Sequence, residues 1–531
     1  MDSRTPDLFR EANLNITQGL RRALQINPLG VAILEGERKL TWADFGDRVG
    51  RFAGALRERG VSKGDRVGVL MLNSSRYLEL YLAVGWTGAV IVPLNIRWSV
   101  AENYDALQDC GAGLLVVDDR FVEAGRALKA AIPSLTIIYA GDGNSPEDCA
   151  CYESWVAASA PIPDAMAGRN ELAGIFYTGG TTGRSKGVML SHGNLMASAL
   201  LVLAEGGFPR DAVYLHAASM FHLANGCGMY CMLLNAGTNA IVKTFSPEAV
   251  AEAIERFRVS HTLLVPTMIQ MLVDHPGISG RDFSSLREIM YGASPISEAV
   301  LDRAIARLPG VRFRQGYGMT ELSPIGTLLL PEDHVGAARA KGRHRSAGRV
   351  AVGLEAKIVD ANDQPVPRGT VGEIAIRGDV VMIGYWNRPE ETAKAVIDGW
   401  MHTGDGGYMD EDGFIYVVDR IKDMIITGGE NVYSIEVENV IAQHPAVLQC
   451  AVIGIPDPQW GEAVHAFAVV KPGPKVEAAD LIAFCKERIG GYKCPHSVDI
   501  RTEPLPMSGA GKILKRELRR PFWENQKREV A

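Results

Sequence analysis

The chain has 531 residues, 47% of them hydrophobic and 22% charged, so it can bury a large core without help from disulfides or metals. A net charge of −7 argues against nucleic acid as the main partner, because phosphate backbones ask for a basic surface. No apolar run approaches about 18 residues, which excludes a membrane-spanning helix.

The predicted elements alternate from the start. Trp42, Phe45, Val49, Phe52 and Leu56 recur at helical spacing, and Gly60 follows as a stop. Arg66 to Leu72 reads as a buried strand, 76–86 as an apolar helix, and Ala89 to Leu94 and Leu114 to Val117 as further strands. Residues 141–170, rich in Gly, Asn, Ser and Pro, read as a surface connection. Alternation resumes at Leu172, with strands near 212–217, 261–265, 287–291 and 311–315. Strand–helix–strand order predicts parallel sheet with helices on its faces, here as two sheets of similar design. From about 347 to 418, short β-like runs between turns such as Asn362-Asp363 predict a small antiparallel unit. The last 110 or so residues form a compact α+β pattern: helices near 435–443 and 478–488, strands near 449–454 and 465–471. The fold class is therefore α/β, with a large N-terminal domain of two βαβ-type sheets plus a small β unit, then a small α+β C-terminal domain. The eight cysteines include no C-x-x-C pair, so a zinc site is not expected. The N-terminus has no apolar signal core and Lys527 to Ala531 is no sorting address, which makes the cytoplasm the expected location.

The strongest local signal is Tyr177-Thr178-Gly179-Gly180-Thr181-Thr182-Gly183-Arg184-Ser185-Lys186-Gly187. It follows the apolar run Leu172 to Phe176. Its glycines let backbone N–H groups approach a ligand, its threonines add hydroxyls, and Lys186 adds a cation; phosphate oxygens need that combination. It is not a Walker A loop, since Lys186 follows Ser185 and Val188 to Leu190 continues as a strand, so chemistry at a γ-phosphate is not implied.

At this loop the sequence begins to resemble the adenylate-forming superfamily of acyl-CoA synthetases, coumarate-CoA ligases, firefly luciferases and peptide-synthetase adenylation domains. Four more segments stand in that family's order: Gln315 to Glu321, Trp400 to Asp405, Asp419 to Asp423, and Gly511-Lys512-Ile513. Two loop positions depart from the pattern, Gly180 where Ser is usual and Ser185 where Pro is usual, so altered ATP affinity is expected. Residues 506–512 are also a loose version of the motif, with the lysine kept.

The resemblance implies an AMP-forming acyl-CoA ligase that uses ATP, Mg2+ and coenzyme A and acts on a small-molecule carboxylic acid. It implies ATP binding by Thr178, Gly179, Gly180, Thr181, Thr182, Gly183 and Lys186, by Gly292, Ala293 and Ser294, and by Gly316, Tyr317, Gly318, Met319 and Thr320. Tyr317 would pack on adenine, Asp405 would accept the ribose hydroxyls, and Arg420 would contact ribose or phosphate. Glu321 and Thr178 would hold the metal. Lys512 would bridge the carboxylate and α-phosphate, so the implied catalytic set is Lys512, His222, Thr320 and Glu321. Lys422 occupies the hinge position, dividing a large domain 1–420 from a small mobile domain 421–531, with the hinge at 420–423. His222 would divide the acyl pocket from the coenzyme A tunnel, which Gly428, Gly429 and Glu430 would line after the small domain turns. His222 to Cys227 suggest a mostly apolar pocket, which fits a fatty or aryl acid better than an amino acid. The basic run Arg339 to Arg345 reads as an exposed charged loop. Alternatives are an adenylation enzyme that loads a carrier protein, a luciferase-like monooxygenase and a regulator without catalysis. A homodimer is compatible with the sequence but not readable from it.

Overall fold

The computed structural model describes residues 14–178, 185–471, 473, 476–507 and 512–524. Two sheets dominate. One runs in the order Gly384–Tyr385, Lys186–Ser191, Leu172–Thr178, Val90–Pro93, Arg66–Leu70, Leu114–Val117, Thr136–Tyr139, Ala150–Cys151. Its members from Leu172–Thr178 onward are parallel, while Lys186–Ser191 returns antiparallel as a hairpin partner. The other sheet has nine strands. Its parallel centre is Arg312–Tyr317, Glu288–Gly292, His261–Leu264, Val213–His216, Thr238–Ile241 and Val31–Glu35. Runs such as Leu115-Val116-Val117 are buried throughout, as strands covered on both faces must be.

One hydrophobic core joins the sheets. It draws Val67, Val69 and Ile91 from the first, Ile33, Tyr214 and Leu263 from the second, and the apolar faces of the helices Trp42–Glu58, Ser75–Thr87, His192–Ala204 and Leu223–Asn235. Local chemistry sets the helix ends. Thr41 and Asp44 form a capping box ahead of Trp42–Glu58, and Gly88 closes Ser75–Thr87 in the left-handed conformation that glycine adopts without strain.

The antiparallel unit contains Glu355–Val359, Gly372–Arg377, Val396–Ile397, Trp400–Met409 and Ile415–Arg420. The C-terminal segment has its own sheet, Glu430–Val432, Ile425–Thr427, Gly461–Val470 and Val447–Asp457, with Ser497–Arg501 beside Gly461–Val470. Its separate core includes Ile425, Val437, Val452, Val464 and Leu481.

Three expectations need correction. The sheets do not divide at 141–170: the hairpin Val31–Thr41 belongs to the second sheet and Leu172–Ser191 to the first. Residues 141–170 are more than a surface connection, because the helix Tyr152–Ala158 buries Tyr152 completely against Phe52. Within 347–418, Arg349–Val350 and Gly384–Tyr385 pair with the two large sheets rather than with the small unit.

Candidate active site

The strands Glu288–Gly292 and Arg312–Tyr317 run parallel and end together, with Gly292 opposite Gly316. Ligands of open α/β sheets bind beyond such carboxyl ends. A Cβ on Gly292 would stand 2.2 Å from the Gly316 carbonyl oxygen, so the close approach requires glycine. Ala293 follows with φ of +66°, a conformation costing about 1–2 kcal/mol for an alanine and concentrated at functional sites. Ser294 is half-buried beside it.

Just past the neighbouring strand, Gly318 packs against the Pro324 carbonyl, which a Cβ would approach to 2.1 Å. Met319 leads into the single turn Thr320–Leu322, which turns Glu321 inward. Glu321 is 6% exposed and accepts a hydrogen bond from the Tyr385 hydroxyl at 2.9 Å. Burial pushes its carboxyl pKa up, while Tyr385, Arg420 and Lys512 act to lower it. Tyr385 also lies under Lys186, whose ammonium is 5.0 Å from the ring centre and pairs with Glu391. Thr178 ends the strand that leads into the glycine-rich loop. Gly179, Gly180, Thr181, Thr182 and Gly183 lie outside the described residues.

Asp405 comes from the antiparallel unit. Gly404 turns the strand there with φ of +70°, and its N–H donates to Glu373 at 2.9 Å. The Asp405 carboxylate accepts from the Tyr317 hydroxyl at 2.8 Å on one oxygen and pairs with Arg420 Nε at 2.8 Å on the other. A carboxylate offers about four lone-pair sites, so two remain for a further ligand. The tyrosine and arginine thereby lock the carboxylate's orientation.

Lys512 enters from the C-terminal domain. Burial lowers its pKa to about 8, and Arg420 pushes the same way, against the attraction of Asp405 and Glu321. The lysine thus interacts electrostatically with all three, each more than 90 positions away in sequence. Lys422, two residues past Arg420, is half-buried and also has its pKa lowered, by burial and then by Arg420.

Gly428 and Gly429 form the turn of the hairpin Ile425–Val432, with φ of +58° and +83°. Gly428 N–H donates to the Trp460 carbonyl at 2.8 Å, while nothing lies within 4 Å of a Cβ on Gly429. Glu430 is exposed. His222 precedes the helix Leu223–Asn235 and packs on Phe221 with ring centres 4.0 Å apart. Of the apolar stretch behind it, Leu223, Asn225 and Cys227 are buried. The Asn225 amide is occupied by Tyr214, His216 and the Ala218 carbonyl. In the basic run, Arg339 pairs with Asp302, Arg343 with Asp412 and Arg345 with Glu298.

Sequence reasoning missed Tyr385 and Glu391. Each supports a recognised residue through a contact that no spacing rule reports, such as Tyr385 to Glu321 across 64 positions.

Residues 20–386 match the AMP-binding enzyme family, and residues 436–512 match the AMP-binding enzyme C-terminal domain. The chain belongs to that family of adenylate-forming enzymes, in its acyl-CoA ligase branch, and is an AMP-forming acid–thiol ligase. It is 42% identical over 505 residues to a feruloyl-CoA synthase of an Amycolatopsis species, covering 95% of this chain and 98% of that one. It is 35% identical over 514 residues to a fatty acid–[acyl-carrier-protein] ligase of Streptomyces coeruleorubidus, covering 95% and 96%. Among solved structures it resembles the Bacillus subtilis o-succinylbenzoate CoA synthetase in complex with an acyl-adenylate intermediate, with TM-score 0.83 and 30% identity over 94% of this chain and 97% of that one.

The donor set fits the family's ATP, Mg2+ and coenzyme A chemistry. Mg2+ keeps several waters and takes one or two carboxylates plus phosphate oxygens. Glu321 offers one buried carboxylate, and among the described residues no cluster of three or more His, Cys, Asp or Glu side chains forms an all-protein cage. No helix among the described residues is long and apolar enough to cross a membrane.

Proposed function

We propose that the enzyme activates an apolar carboxylic acid, fatty or aryl, in two half-reactions at one site. The observation that carries this reading is the half-buried Lys512, which comes from the C-terminal segment and interacts electrostatically with Arg420, Asp405 and Glu321. The relatives named for ferulate and for fatty acids support the substrate class.

In the first step a carboxylate oxygen of the acid forms a bond to the α-phosphorus of ATP while the bond to pyrophosphate breaks. Both reactants are anions, so positioned cations supply the catalysis. Lys512 neutralises the carboxylate and α-phosphate as they meet. Asp405 holds the ribose hydroxyls with its remaining lone pairs, and Arg420 fixes Asp405 while facing the phosphates. Tyr317 stacks on adenine, and its hydroxyl bond to Asp405 sets the ring's plane. Gly292, Ala293 and Ser294, with Gly316 and Gly318, form the backbone floor under the nucleotide. Glu321, with Thr178 and Thr320, would hold Mg2+, which would supply positive charge against that of the leaving pyrophosphate. Lys186 would serve the same group after exchanging Glu391 for phosphate.

In the second step the thiol sulfur of coenzyme A bonds to the acyl carbon, AMP leaves, and the thiol proton passes to solvent. Residues 421–531 move as a small domain against 1–420, turning about Lys422 in the hinge 420–423. The separate core of the C-terminal segment supports this division. The turn withdraws Lys512 and brings Gly428, Gly429 and Glu430 to a tunnel gated by His222. The enzyme works in the cytoplasm, and a homodimer is compatible with its function.

The test is product analysis with a panel of carboxylic acids. AMP and pyrophosphate formation that requires an apolar acid, followed by thioester formation on adding coenzyme A, supports the reading. ADP and phosphate as products refute it. Acyl transfer only to a carrier protein would leave adenylation intact and change the acceptor.

A further inference from the structure

The C-terminal helix Lys515–Trp523 begins three residues after Lys512, and its first side chain turns inward. Lys515 Nζ lies 2.7 Å from the Glu438 carboxylate and bonds to the Ser434 hydroxyl. Both partners are on the helix Ser434–Ile441, and Ser434 is fully buried as its first residue. The Ser434 N–H donates to Asp419 Oδ2 at 2.6 Å. Asp419 is 2% exposed, and its other oxygen accepts from the Arg420 N–H at 2.7 Å. One turn along the C-terminal helix, Arg519 pairs with Asp423 at 3.0 Å.

Asp419 precedes the hinge, whereas Ser434, Glu438 and Lys515 follow it. A carboxylate from the large domain therefore caps the first helix of the small domain, where free N–H groups and the helix dipole favour negative charge. Rotation about Lys422 would carry Ser434 and Lys515 away from Asp419. The cross-hinge bonds thus belong to the arrangement that places Lys512 beside Glu321 and Asp405.

We infer that Lys515 is a positioning residue for adenylation: through Ser434 it ties the segment bearing Lys512 to Asp419 across the hinge and keeps Lys512 in the site. This rests on the two-arrangement reading above. Burial opposes the charge on Lys515, yet Glu438, Asp419 and Asp423 together hold its pKa above the usual lysine value, so the tie stays charged at working pH.

Lys515→Met alone would leave the half-buried Glu438 without its cation and risks unfolding. The informative variant pairs it with Glu438→Gln, which keeps an acceptor for the Val452 N–H that Glu438 now receives at 2.8 Å. The full-length double variant should unfold thermally close to the parent. Its kcat for pyrophosphate release should fall about ten- to a hundredfold, the range of coupling between distinct sites, with KM for ATP little changed. Thioester formation from supplied acyl-adenylate and coenzyme A should hold within about twofold. Lys515→Arg should recover most of the loss, because it restores the cation. Equal losses in both half-reactions, an unchanged adenylation rate, or a loss that Lys515→Arg does not recover overturns the inference. Lys512→Ala run in parallel separates the two ideas. If Lys512→Ala fails to split the half-reactions, the two-arrangement reading falls; if it splits them and the double variant does not, only the role of Lys515 falls.

Discussion

Lys512 carries a pH signature. Burial beside Arg420 brings its pKa to about 8, against 10.5 for a free lysine side chain. That difference makes the charged, docked lysine less favourable by about 3 kcal/mol before substrates arrive. In the role proposed for Lys512 the protonated form acts, so activity should be present below pH 8 and be lost as pH rises through it. About nine-tenths of the lysine is charged at pH 7 and about one-tenth at pH 9. The kcat/KM for adenylation, which reports the free enzyme, should therefore fall about tenfold per pH unit above roughly 8. The anions of ATP and the acid restore the charge, so the corresponding limb in kcat should lie at higher pH. Lys512→Ala removes a positioned cation from the transition state and should cost roughly 3–4 kcal/mol, or about a hundred- to a thousandfold in rate. Lys512→Arg keeps a permanent charge, so whatever activity remains should lose the alkaline limb. The assay is initial pyrophosphate release between pH 6.5 and 10, in the absence of coenzyme A. A flat kcat/KM over that range, or an alkaline limb that persists in Lys512→Arg, would show that Lys512 is not the titrating group.

Four further outcomes follow from the same geometry. Asp405→Ala should raise KM for ATP well over tenfold with the acid profile unchanged, since two hydrogen bonds to a charged acceptor are worth about 1.5–3 kcal/mol each; a shifted acid profile with normal ATP affinity would reject the ribose role. Tyr385→Phe removes a donor that stabilises ionised Glu321, so the acidic limb of adenylation should move to higher pH and the Mg2+ requirement should rise, as a magnesium titration at two pH values would reveal. Gly429→Leu meets no neighbour but takes a left-handed conformation at about 1–2 kcal/mol, so adenylation should survive while thioester formation is blocked, and equal loss in both would contradict the tunnel assignment. Gly292→Ala forces a Cβ against the Gly316 carbonyl and should destabilise the fold by about 1–3 kcal/mol, readable as a lower Tm even without substrates.

Much of this was legible along the chain. Apolar runs of four or five residues marked the central strands, because both faces of a parallel sheet are covered. Tyr317, Glu321, Asp405, Arg420 and Lys512 stood out through the order of the motifs that resemble the adenylate-forming family, and the structure joins Tyr317, Asp405 and Arg420 by direct contacts. Long-range pairing was not legible. Nothing near Ile33 indicates that its partner is Asn239 rather than a neighbour, since parallel partners share no turn. Nor does the sequence around Asp419 reveal Ser434 and Lys515, which reach it only once two helices have docked. Lys515 in particular reads as one more cation in a basic tail.

The exchange of hairpins between the two sheets has a consequence for synthesis. The strand Val31–Glu35 leaves the ribosome early, but the strand it pairs with, Thr238–Ile241, emerges some 200 residues later. At about 5–20 residues per second that is a wait of roughly 10–40 seconds. Through that interval the first hairpin presents an apolar edge with no partner, and such edges recruit other chains. Neither half of the large domain can complete its sheet alone. A chain stopped before residue 238 should therefore accumulate in aggregates or on chaperones rather than as a folded fragment.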